Sequence, residues 1–260
     1  MPPEPNFNRR NFLHIVAGGL ATSITRASAS EALIDRLIDQ ARKKGTISQR
    51  LDFISGALRG TPYLADTLIG SPRRAEKFVV RDDAFDCVTF CETVVAAAIA
   101  AKRSQFDSVL RNIRYHDGIV AWPERNHYFF EWCQRNVDNK ICRWIDLDGS
   151  VGIEKNVDSQ KGLSKRRFAM RVIPSAVFLA NRKKLEKGDI VGFVSRQTGL
   201  DYFHVGFIAF DKTGVLLLRH ASQSHRRVLD ERMDRFVADN GVRYVTLVRP
   251  QEPRAIAERQ

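Results

Sequence analysis

Cys87 is the side chain with the most chemistry to offer, and its setting says which chemistry. It stands in Asp83-Ala-Phe-Asp-Cys-Val-Thr-Phe-Cys-Glu92, directly ahead of an alanine-rich apolar run, Val88 to Ala101. A run that is apolar on almost every side describes a helix buried in a core rather than one lying on a surface. Cys87 therefore opens a buried helix, with Asp86 placed as its N-cap. The start of a helix carries amide donors without intrahelical partners and a positive dipole end, and both favour a thiolate over a thiol. The thiolate is the nucleophile, so residue type and position together suit covalent attack on a carbonyl. The same side chain would also serve as a small core residue, as most unbridged cysteines do. Its partners decide between the two readings.

Two histidines fall where partners are needed. Phe210-Asp211-Lys212-Thr213-Gly214-Val215 has the form of a hairpin loop in which a type I turn is followed by a left-handed glycine. That loop sets Asp211 against Val215, so paired residue numbers sum to 426. His220 then stands opposite Gly206 and His204 opposite Ser222, and the two histidines share a face as diagonal neighbours roughly 7 to 8 Å apart at the backbone. A slip of one residue would put them on opposite faces. In this register His204 takes the proton of Cys87 or forms the ion pair with it, and later protonates the leaving amine, while His220 holds the ring of His204 in its working tautomer. The Cys87 amide, with the hydroxyl of Tyr63, would stabilise the oxyanion. For Tyr63, in the loop from Thr61 to Arg81, packing on the surface is the competing role. His116 and His225 read as surface or structural residues.

The elements that hold these groups follow from periodicity. Leu33, Ile34, Leu37, Ile38 and Ala41 form one helical stripe, and Ile47, Leu51, Ile54 and Leu58 a second, capped near Ser48 and ended by Gly60-Thr-Pro62. A short strand is expected at Lys77 to Val80, and a helix marked by Phe106, Val109, Leu110 and Ile113 ends near Tyr115. Arg125-Asn126-His127-Tyr128 lies in an aromatic and polar segment that suits a sugar- or peptide-gripping groove about as well as a packed loop. Residues 137 to 167 show little pattern, and 158 to 167 read as exposed. A helix over Ser175 to Lys184 precedes strands at Ile190 to Val194, His204 to Phe210, Val215 to His220 and Val242 to Val248, with a helix at Asp230 to Val237. Helices first and strands after predict an α+β fold with a mainly antiparallel sheet.

The ends and the composition bound the setting. Asn8-Arg-Arg-Asn-Phe-Leu13, a short apolar stretch from Ile15 to Ile24 and Ala27-Ser-Ala29 make a twin-arginine type of signal peptide over residues 1–29. This leaves 30–260 as one domain, with helical additions around 30–60 and 103–185, and predicts an exported, periplasmic protein. The stretch is too short for a typical membrane span, and no later run is long and apolar enough for one, so no stable span is expected after cleavage. The chain of 260 residues carries a formal net charge of +12, of which +2 falls in residues 1–29 and +10 beyond them. Anionic partners are favoured. Scattered basic residues without a zinc-finger or RNA-binding signature speak against nucleic acid, whereas bacterial cell-wall polymer suits an exported protein. The spacing of Cys87, Cys91, Cys133 and Cys142 lacks the paired pattern of a zinc site, so no metal or cofactor is expected. The last two could be bridged or remain buried thiols.

With these residues in place the chain resembles the NlpC-type cell-wall hydrolases, a papain-like superfamily, and more closely their amidase-like branch. The matching pieces are Gly60-Thr-Pro-Tyr63, Phe85-Asp-Cys-Val-Thr-Phe90 with Glu92, Arg125 with His127-Tyr128, Gly188-Asp189, Gly199-Leu-Asp201 leading into His204-Val-Gly206, and His220-Ala-Ser222. The resemblance implies a papain-like core, with the cysteine helix packed on a sheet or half-barrel bearing the histidines. It implies peptidoglycan or muropeptide as substrate, cut at the bond between N-acetylmuramic acid and L-alanine, with Cys87, His204 and His220 catalytic. Tyr63, Asp86, Arg125, His127, Tyr128 and Ser222 would line the oxyanion and substrate positions. A stem-peptide endopeptidase, a non-catalytic wall-binding module and an acyl transferase or lipid hydrolase on the same scaffold are the alternatives. Cys91 departs from the pattern, where a small aliphatic residue is more usual; it lies one turn beyond Cys87 on the same face, within reach of oxidative coupling.

Overall fold

The computed structural model describes residues 33–253. The arginine pair and the Ala27-Ser28-Ala29 site therefore lie outside the described residues. Helix α1 (33–41) buries Ile34, Leu37, Ile38 and Ala41, the expected stripe. Helix α2 (Ile47–Ala57) begins at Thr46 rather than Ser48: the Thr46 hydroxyl accepts from the Gln49 amide and the Gln49 side chain reaches back to the Thr46 amide. Ser48 instead donates to the Lys187 carbonyl. A small hairpin, β1 (Ile69–Ser71) and β2 (Arg74–Lys77), replaces the strand expected at Lys77 to Val80. Then come α3 (Cys87–Ile99), α4 (Arg103–Arg114) and α5 (Phe129–Asp138).

Strands β3 (Cys142–Ile145), β4 (Val151–Val157) and β5 (Arg166–Pro174) occupy a region that showed little pattern in the sequence and was expected to add only helices. Their alternation is real but diluted: in β5 the buried Phe168, Met170 and Val172 alternate with exposed positions that include Arg167 and Arg171, and in β4 Glu154 and Lys155 interrupt the apolar pattern. Helix α6 (Ser175–Ala180) leads to β6 (Ile190–Val194), β7 (Tyr202–Phe210), β8 (Leu216–Ser222), β9 (Arg227–Arg232), α7 (Met233–Asp239) and β10 (Tyr244–Pro250). The helix expected from Asp230 starts three residues later because Asp230, Glu231 and Arg232 end a strand. Charged residues on an outer strand read like the polar first turn of a helix.

The main sheet runs β4-β5-β10-β6-β7-β8-β9, with β3 also on β10, and every pairing in it is antiparallel. The molecule is α+β with a mainly antiparallel sheet. Each sheet face covers its own apolar core. On one face Val205 and Phe207 of β7 meet the helices, with Phe90 of α3 edge-on to Phe207 at 5.6 Å. On the other, Ile208 and Leu218 pack with Phe193 and with Met233 and Phe236 of α7. Helix α3 is buried at every position from Thr89 to Ala98, as its composition requires. No helix of the described residues is long and apolar enough to cross a membrane.

Arg219 of β8 fastens the sheet to the helices. Its guanidinium donates to Asp52 of α2 at 2.9 Å and grips Asp230 of β9 through two bonds of 2.6 and 3.0 Å. Removing one partner of a buried ion pair leaves the other charge desolvated. Arg219→Met should therefore lower unfolding stability by about 3 kcal/mol, the lower end of the usual range, because Lys187 still meets Asp52 and Arg59 still meets Asp230. Urea unfolding measures the loss; an unchanged midpoint would mean that this network is dispensable.

Candidate active site

The helix that Cys87 opens is tightly capped. Asp86 is extended (φ −87°, ψ 177°) and one of its carboxylate oxygens accepts from the Val88 amide at 3.0 Å and the Thr89 amide at 2.8 Å. The Asp86 amide in turn donates to the Thr89 hydroxyl. Asp86 thus shapes the first turn and holds Cys87, half-buried, at its opening. Behind it Arg114 donates to Glu92 at 2.7 Å and to the Val79 carbonyl. Burial pushes the Glu92 carboxyl up against the pull of that arginine.

The histidines meet as the hairpin register requires. Strands β7 and β8 pair with residue numbers summing to 426, and Gly214 takes the left-handed conformation at φ +82°. His204 Nε2 lies 2.6 Å from His220 Nδ1, and the rings stand at 88° with centroids 4.8 Å apart. Gly206 makes the approach feasible, since a Cβ there would come within 2.9 Å of both His220 Cβ and the Arg219 carbonyl. Both rings rest on Phe236 of α7, 5.5 Å from its centroid. Burial, and next the neighbouring His220, hold His204 well below the usual histidine range, so its resting ring is neutral.

A third group completes this chain of contacts, and sequence reasoning missed it. Glu231 Oε2 lies 3.1 Å from His220 Nε2, and that bond holds the Glu231 carboxyl below its ordinary value. Strands β8 and β9 pair His220 with Leu229 and Leu218 with Glu231, which makes Glu231 a diagonal neighbour of His220 on its own face. Counting register through a second hairpin would have found it, but β9 was read as the beginning of a helix.

The start of α3 is tied to the end of the sheet at which His204 stands. Ser222, opposite His204 in this register, pairs with Arg227; residues 60–63 run beside β9, with Gly60 N on Val228 O and Tyr63 N on Arg226 O; Phe85 then pairs with Tyr63. Two residues further on is Cys87. Along β7 the ring of His204 shares a face with Ile208, whereas α3 packs on Phe207 of the opposite face. A bulge between Tyr202 and His204 interrupts the alternation at this margin.

Other expected site residues have different duties. Tyr128, expected to line the groove, is buried in the core against Phe168, and its hydroxyl accepts from the Gln160 amide, so its ring is a packing element. Arg125 reaches Glu76, which also takes the Tyr115 hydroxyl. His127 packs at a tilt against the Trp122 ring, centroids 4.4 Å apart, and donates from Nε2 to the Trp122 carbonyl at 2.6 Å. Ser222 is buried and bonds Ser224 and His225 in the turn after β8. Tyr63 is half-buried beside Arg226. No disulfide joins the four cysteines, and Cys91, Cys133 and Cys142 are buried thiols. Burial pushes the Cys91 thiol up, with the nearby Cys87 adding to it. Among the described residues no group of three or more His, Cys, Asp or Glu side chains is arranged to hold a metal ion.

Fold and site define an α+β protein whose antiparallel sheet carries a His-His-Glu chain beside a capped cysteine helix. The family model described as AmiA-like, N-acetylmuramoyl-L-alanine amidase-like, matches residues 53–242, and the chain belongs to that family. Among solved structures it is similar to a Legionella pneumophila protein, with 19% identity, TM-score 0.77 and coverage of 89% of this chain and 98% of that one. It is also similar to an N-acetylmuramoyl-L-alanine amidase from Bacteroides uniformis, with 23% identity, TM-score 0.69 and coverage of 80% and 100%. No curated protein matches.

His127 supplies a test of this geometry. Burial lowers its pKa to about 4, with Arg125, Arg166 and Arg135 adding to the effect against the bond to Trp122. Its ring signals should titrate near pH 4 in NMR. Since the unfolded ring binds its proton near pH 6.5, the resulting contribution to stability is present above that pH and is lost as pH falls towards 4. A midpoint near the ordinary histidine value would contradict this placement.

Proposed function

We propose that this protein is exported and hydrolyses a peptidoglycan amide, the bond between N-acetylmuramic acid and L-alanine, on a papain-like scaffold of the NlpC type. Family membership supports the substrate class. The 2.6 Å contact between His204 and His220 carries the mechanism, because it orders a neutral ring at the end of the sheet to which the Cys87 helix is tied. With His204 Nε2 committed to His220, Nδ1 is the nitrogen that receives the proton of Cys87. The thiolate attacks the lactyl carbonyl, and the C=O electron pair moves to oxygen, which the Cys87 amide and the Tyr63 hydroxyl stabilise. Collapse breaks the C–N bond, and His204 returns its proton to the departing L-alanine nitrogen. Water, activated by the same ring, then cleaves the thioester to give the lactyl acid and restore the thiol.

Residues 1–29 provide the export signal, and the basic surface favours anionic wall fragments. Arg125 and His127 act on substrate only through the positions that Glu76 and Trp122 give them. The decisive experiment incubates the protein and its Cys87→Ala variant with purified muropeptides and weighs the products. The parent should release intact stem peptide and a free lactyl sugar, and the variant should lose at least about 10³-fold in turnover, as expected for removal of a nucleophile. Turnover that survives the substitution would sink the nucleophile assignment, and shortened stems would move the cut into the peptide.

A further inference from the structure

We infer that Glu231 is a positioning residue, the carboxylate that fixes the direction in which the His204–His220 pair passes a proton; this rests on the reading of Cys87 as nucleophile. Two neutral imidazoles joined by one hydrogen bond have two arrangements. In the first, His204 Nε2–H donates to His220 Nδ1, and His204 Nδ1 keeps its lone pair for the thiol. In the second, His220 Nδ1–H donates to His204 Nε2, and His204 Nδ1 carries a hydrogen and cannot accept one. The pair alone does not choose between them.

Glu231 makes the choice. Its Oε2 lies 3.1 Å from His220 Nε2. A carboxylate only accepts, so Nε2 of His220 must carry the hydrogen, and when that ring holds a single hydrogen its Nδ1 is the acceptor. The first arrangement follows. When the thiol proton moves to His204 Nδ1, no further proton has to move: the imidazolium keeps Nε2–H on His220, and the negative charge of Glu231 favours the cation through the intervening ring. The ionisable groups facing Glu231 are few. His220 bonds it and His225 acts on it through space. Asp234 of α7 is held by Arg232, and the neighbouring Asp230 is turned to Arg219 and Arg59. Glu231 is therefore the carboxylate available to the histidine pair. Its side chain is 26% exposed, against 2% for His220, so it can be replaced without opening the core.

Cys87 alkylation by iodoacetamide, followed against pH by mass spectrometry, tests the relay without any substrate. Loss of the carboxylate disfavours the imidazolium, and with it the thiolate that the imidazolium stabilises. Glu231→Gln and Glu231→Ala should raise the alkylation midpoint by about one pH unit, and Glu231→Asp, which keeps the charge, should raise it less. On muropeptides kcat should fall on the order of 10–100-fold in the Gln and Ala variants with KM little changed. A midpoint that stays in place in both overturns the inference. Gln preserves the shape of the side chain, so the test stands even where Ala unfolds the strand. A midpoint that depends on Glu231 in a protein with no muropeptide turnover would leave the relay and remove the proposed substrate. Full turnover with an unmoved midpoint would do the reverse.

Discussion

A single hydrogen bond between two imidazoles, His204 to His220, sets conditions that much of the structure has to meet. Rings 4.8 Å apart on neighbouring strands need one register, one turn and one missing side chain. The turn is Asp211 to Val215, where the Asp211 carboxylate accepts from the Thr213 and Val215 amides and Gly214 takes the left-handed conformation. The missing side chain is that of Gly206. A slip of one residue would turn His220 towards the helices and bring Arg219 into its place. The network of Arg219 with Asp52 and Asp230 opposes that slip, because it would move a buried guanidinium onto the apolar face of Phe236. The ion pairs on one face therefore guard the histidines on the other.

Burial has opposite consequences for the groups around Cys87. It raises the thiols of Cys91, Cys133 and Cys142, which keeps them protonated and poor nucleophiles. It lowers His204, which keeps that ring neutral and able to accept a proton. Cys87 differs from the other cysteines in being half-buried and at the first position of its helix, where the dipole and the amides of the first turn act on it. The concern that Cys91 lies within reach of Cys87 is met by this contrast. A fully buried, protonated thiol is slow to attack an oxidised neighbour, and a disulfide between positions four apart would have to distort the capped first turn of α3.

Much of the site was legible because it rests on local rules. Asp86 as a cap, the alanine-rich helix behind it and the register of the first hairpin each follow from residues a few positions apart. The strands β3 to β5 and β9 were not legible, since their exposed positions hold Lys, Arg, Asp and Glu, and a period-2 stretch as short as Phe168, Met170 and Val172 stands out little from the polar chain around it. Losing β9 meant losing Glu231, whose position depends on counting register through two hairpins in succession. Tyr128 failed for a different reason. An aromatic residue in a polar segment fits a groove or a core equally well, and only the tertiary position of Phe168 decides.

The alternation of β7 also bears on why the thiol proposed as nucleophile stands at the very start of α3. The body of that helix packs on Phe207, while His204 points with Ile208 to the face of Phe236. Any cysteine further along α3 would have the sheet itself between it and the histidines, as Cys91 does. The two faces come together only at the margin, where the bulge at Tyr202 to His204 breaks the alternation and the bridge from Tyr63 to Phe85 brings in the chain two residues before Cys87. A nucleophile served by a histidine from the far face must stand at that margin, and the first residue of the capped helix is the place where the helix dipole is strongest as well.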